Sequence, residues 1–128
     1  MIPPPRAENG SGGSGGAGRV REETGMGDPM RIRATLIGKV VEVKVLMAHE
    51  METGQRKDSR GQIIAARFIS RVSATYRGTV VMSAQWGPAV SKNPFLEFRF
   101  EGGEAGETVQ IAWTDTAGDS RVDEVTIQ

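Results

Sequence analysis

The sequence predicts an all-β fold in which two antiparallel sheets pack face to face. Three observations carry that expectation. Apolar and polar residues alternate with period two in one short segment after another. Turn-forming clusters separate these segments roughly every eight to twelve residues. No stretch shows the three-to-four-residue apolar spacing of an amphipathic helix. A strand with one apolar face has to bury it, and with no helix available only a second sheet can do so.

About seven strands follow in order. Met30 to Leu36 opens the series. Val41, Val43, Val45 and Met47 then form one clean apolar face, with Glu42, Lys44, Leu46 and Ala48 between them. In the third strand Phe68, Ser70, Val72, Ala74 and Tyr76 share a side. Tyr76-Arg77-Gly78-Thr79 reads as a hairpin turn, with Val80 to Trp86 as the return strand. Leu96, Phe98 and Phe100 alternate with Glu97, Arg99 and Glu101, and a Gly-rich turn leads to Val109, Ile111 and Trp113. Asp115 closes that strand, and its carboxylate is expected to accept backbone N–H groups of the following turn. The last strand, Arg121 to Ile127, alternates imperfectly because Asp123 shares parity with Val125 and Ile127. An edge position or a bulge there is the expectation. Trp113 and Trp86 are expected to anchor the core.

Composition narrows the function. Sixteen basic residues balance sixteen acidic ones, so no net field steers the chain to nucleic acid or to an anionic membrane. No apolar run reaches the roughly eighteen residues of a membrane helix, and no secretion signal is recognisable. Cysteine is absent, which removes disulfides, thiolate nucleophiles and thiolate metal ligands. Residues 1–29 read as a flexible Pro/Gly/Ser-rich tail or linker, since Asn9 to Gly18 alone holds six of the seventeen glycines. Residues 30–128 form the predicted domain.

Two loops stand out. His49-Glu50-Met51-Glu52-Thr53-Gly54-Gln55-Arg56-Lys57 begins a long excursion that reaches about Ala66, and long excursions within small domains are often functional. The second loop, Trp86 to Pro94, is stiffened by Pro88 and Pro94, and Ser91 and Asn93 can bond to backbone. Neither offers a nucleophile with its base or a working carboxylate pair, so no catalytic residue, cofactor or metal site is assigned. The rival reading is a free-standing β-sandwich module for a metal or ligand. Met47, His49 and Met51 fall on one side of an extended chain, and thioethers with an imidazole suit copper. Against it, Met47 merely continues the apolar face set by Val41, Val43 and Val45.

The segments HEMETGQRKDSRG (49–61) and GPAVSKNPFLEF (87–98) resemble the signature segments of the SoxZ family. The likeness runs from about Met30 to Ile127 and includes the Tyr76-to-Val80 hairpin and Trp113-Thr114-Asp115. Glu50 stands where the family usually has proline, and Ala66-Arg67 replaces a proline-arginine pair. The resemblance implies an immunoglobulin-like sandwich without catalytic residues. It also implies a heterodimer with a SoxY-like subunit, whose cysteine carries the intermediates of thiosulfate oxidation, and transient contact with periplasmic Sox enzymes and cytochromes. A periplasmic location reached by co-export with the partner is implied as well. The expected partner-binding residues are His49, Glu50, Met51, Glu52, Thr53, Gly54, Arg56, Lys57, Pro88, Ser91, Asn93 and Pro94.

Overall fold

Tight turns set how neighbouring strands of this chain pair. Arg77 and Gly78 both have positive φ, 52° and 76°, as a two-residue hairpin turn of mirrored type requires. A computed structural model describes residues 20–21 and 27–128, and the expected tail, residues 1–29, otherwise lies outside the described residues. The strands are β1 (Val20–Arg21), β2 (Arg31–Ile37), β3 (Val40–Leu46), β4 (Ile69–Tyr76), β5 (Thr79–Gln85), β6 (Phe95–Glu101), β7 (Thr108–Asp115) and β8 (Ser120–Thr126). They form one sheet in the order β1-β8-β7-β4-β5 and a second in the order β2-β3-β6, with every neighbouring pair antiparallel. The two-sheet all-β architecture is the one the alternation predicts.

The core lies between the sheets. Val41, Val43 and Val45 of the smaller sheet, with Met47 just past the end of β3, face Val72, Ala74, Val109, Ile111 and Trp113 of the larger, and all of them are buried. The chain's end joins the layers. Ile127 bridges to Ala34 in parallel, and backbone bonds connect Gln128 with Ala34 and Leu36. Before β2, Gly27 lies against the Trp113 indole, and its carbonyl accepts from Arg121 Nη1 at 3.0 Å.

Three local readings change in the structure. A register shift between Ile69 and Arg71 turns Ile69 inward and completely buries it, where the alternation had placed Phe68 and Ser70. Trp113 is a core residue, but Trp86 only packs against the core's rim. The β7–β8 register runs without interruption past Asp123, so no bulge explains its parity. Asp123 points into the sandwich and is 1% exposed. Its carboxylate accepts from Met30 N–H at 2.8 Å and from Arg121 Nε and Nη2 at 3.3 and 3.2 Å. A carboxylate can occupy an inward position when its charge is paired and its oxygens are bonded.

Candidate docking site

The first loop grows out of β3, whose direction the chain keeps for a few residues beyond Leu46. Met47 N–H donates to Pro94 carbonyl oxygen at 2.9 Å. His49 and Asn93 then clasp each other: His49 N–H donates to Asn93 Oδ1 at 3.1 Å and Asn93 N–H to His49 carbonyl at 2.9 Å. Two segments more than forty positions apart are thereby stitched into one surface. Asn93 holds φ at 52°, a left-handed value that asparagine tolerates better than most residues. Asn93→Ala loses both the tolerance and the bond, and should cost about 1–2 kcal/mol in urea unfolding. Asn93→Gly restores the φ without the bond and should cost less.

Beneath the clasp, the His49 ring is buried and fully committed. Its Nδ1 accepts Met51 N–H at 3.0 Å, so the ring proton sits on Nε2, which donates to Asp115 Oδ2 at 2.9 Å. The ring also meets Trp113 edge-on, centroids 5.1 Å apart. Asp115 is the hub. Its Oδ2 accepts Arg67 Nε at 3.0 Å as well, and its Oδ1 accepts the N–H groups of Ala117 and Asp119, each at 2.9 Å. Burial pushes the Asp115 carboxyl up, but the bonds from His49, Asp119, Arg67 and Ala117 together outweigh it and hold the group below its ordinary value. Arg67 is held above its ordinary value, chiefly by the hydrogen bond to Asp115.

From this base the chain projects a finger. Glu52 and Arg67 pair through two backbone bonds at 2.7 and 2.9 Å, and Lys57 bridges Ile63 farther out. Asp58 Oδ1 accepts the N–H groups of Arg60 and Gln62, closing the tip. Arg56 forks onto Glu52 at 3.2 and 2.6 Å, and this bond holds the Glu52 carboxyl below its usual value.

The two loops line one open cleft of about 610 Å³, walled by Glu50 to Thr53 and Arg56 on one side and Pro88 to Lys92 on the other. Lys92 and Glu50 approach within 3.5 Å across it. Of the residues expected to bind a partner, Glu50, Thr53, Arg56, Lys57, Pro88, Ser91 and Asn93 are exposed, with Glu52 and Gly54 partly so. His49, Met51 and Pro94 are buried, and they fix the loop from underneath. The metal reading meets committed groups. Both nitrogens of His49 are bonded, and Met51 Sδ accepts Ile69 N–H at 3.4 Å. No cluster of three or more metal-ligating His, Cys, Asp or Glu occurs among the described residues. The sequence reading missed Arg67, which holds the loop through Asp115 and Asp119. Its separation of 48 and 52 positions from those partners left no local signal.

The family described as "Sulphur oxidation protein SoxZ" matches residues 30–126 of the chain. No curated protein matches the sequence. Among solved structures, hypothetical protein PH1083 from Pyrococcus horikoshii OT3 is similar, at 13% identity and a TM-score of 0.53. The match covers 86% of this chain and 95% of that one, a likeness of fold alone. The chain belongs to the SoxZ family. It is a non-catalytic subunit of a sulfur-compound carrier that pairs with a SoxY-type subunit in sulfur oxidation. The family is periplasmic, and no helix among the described residues is long and apolar enough to cross a membrane.

Proposed function

We propose that this SoxZ-family subunit engages its companions through the cleft between residues 50–56 and 88–92. The SoxY-type subunit, and transiently the periplasmic Sox enzymes and cytochromes, contact Glu50, Glu52, Thr53, Gly54, Arg56, Lys57, Pro88, Ser91 and Asn93. His49, Met51 and Pro94 shape that surface from below. Export in company with the partner, and a division into a tail of residues 1–29 and a docking domain of residues 30–128, belong to the same reading.

The observation that carries it is the mutual clasp of His49 and Asn93, which brings the two family-like segments to one cleft. A surface assembled from two loops and fixed by a buried Asp115 hub loses little conformational entropy when something docks on it. Co-expression with the cysteine-bearing partner and native mass spectrometry should give a one-to-one complex. Ser91→Arg and Thr53→Arg, both at exposed positions, should weaken association or enzyme coupling more than tenfold while leaving the urea midpoint in place. Unchanged affinity and unchanged coupling in both variants would remove the cleft from the docking surface.

A further inference from the structure

The two sheets are unequal in width. β2 lies against β8, and the Tyr76 ring of β4 meets the Phe100 ring of β6 at 5.3 Å. The three strands of the smaller sheet therefore stand over β8, β7 and β4, and β5 overhangs. None of its seven residues is buried, although Val81 and Met82 pack against the rim of the core. Leu96 and Phe98 of β6, and Trp86 and Val90 just past β5, are likewise only partly buried.

The sheet edges differ just as much. β8 is flanked by Val20–Arg21 and by Gly27. β2 carries Arg31 and Arg33 and is bonded to Gln128. β6 carries Glu97, Arg99 and Glu101. Charges and covering segments of this kind keep foreign strands away. β5 reads TVVMSAQ, with no charge and no proline. Trp86 N–H bonds to Ser70 carbonyl, and the register continues Gln85 with Arg71 and Ser83 with Ser73. Antiparallel alternation then turns the main-chain N–H and C=O of Ser83 and Gln85 away from β4, outward.

We infer that β5 accepts an extended, uncharged segment of the cysteine-bearing partner subunit as a further strand, continuing the five-stranded sheet across the heterodimer. The inference rests on the partner reading above and adds the place of attachment. Main-chain bonds along Ser83 and Gln85 supply the affinity, and the apolar rim beneath takes the incoming side chains. β5 runs through Trp86 directly into Pro88 and the cleft wall, so strand and cleft form one continuous surface. A second copy of this chain fits less well. The extra residue Val81 sits beside the strand midpoint, and two-fold self-pairing would set two such irregularities against each other.

Hydrogen exchange on the full chain, alone and with the partner, tests this. Amides of Ser83 and Gln85 should exchange at least tenfold more slowly in the heterodimer, while those on the outer edge of β6 stay unchanged. Ser83→Pro removes an outward N–H and should weaken the heterodimer more than tenfold, and Ser83→Lys should act in the same direction without touching the backbone. A one-to-one complex with β5 unprotected would overturn the inference and leave the partner reading standing. Failure to form any heterodimer would remove both. Protection of β5 in the lone chain, accompanied by doubled mass, would assign the edge to a second copy and overturn the inference.

Discussion

Asp115→Ala should lower the unfolding free energy by about 3–5 kcal/mol, read as a shifted urea midpoint followed by tryptophan fluorescence. The magnitude comes from the number of groups that lose their acceptor together. His49 Nε2 and the Ala117 and Asp119 amides are left facing a cavity, and Arg67 loses the anchor of its inner nitrogen. Asp115→Asn keeps an acceptor for the two amides but turns an amide donor toward His49 or Arg67, so its cost should be intermediate. The same residue sets an acid limit. Its folded carboxyl titrates below the ordinary 3.8, so the stability it adds is present above that value and is lost as pH falls through the lower, folded one. Asp115→Ala should therefore flatten the acid limb of the stability profile as well as lower its plateau.

Arg121→Met should be similarly severe, about 3–5 kcal/mol, because it leaves the Asp123 charge buried beside apolar side chains with one backbone donor for company. The double variant Arg121→Met with Asp123→Leu should recover most of that loss, and failure to recover it would mean the pair is needed for packing as well as for charge. Burial raises the Asp123 carboxyl to about 6, more than Met30 N–H and Arg121 can offset. The folded chain thus holds this proton more tightly than the unfolded one. The stabilisation is full below the ordinary 3.8 and is lost as pH rises through about 6, a difference of about 3 kcal/mol. Asp123→Asn should remove that slope between about pH 4 and 6 in urea titrations across the range.

The strands were legible because alternation is a local record of which face is covered. Val41, Val43 and Val45 reveal their face without any knowledge of the opposite sheet. The same rule misplaced Ile69, since one unpaired residue at Ser70 reverses parity and leaves no mark in composition. Asp123 looked like a defect because alternation does not register a same-face ion pair with Arg121 two residues away, and its Met30 N–H donor arrives only through the fold. The two loops were legible through length, proline content and family likeness. Their meeting was not, because Asn93 and His49 find each other through the fold. The backbone bonds expected of Asp115 are there, but its bonds to His49 and Arg67 depend on residues 66 and 48 positions away.

The finger from Glu52 to Arg67 is zipped at its root and closed at its tip. At its root, the Arg67 guanidinium grips the same carboxylate that seats His49 under the cleft. One carboxylate therefore anchors both the finger and the floor of the cleft, and Asp115→Ala should loosen the two together.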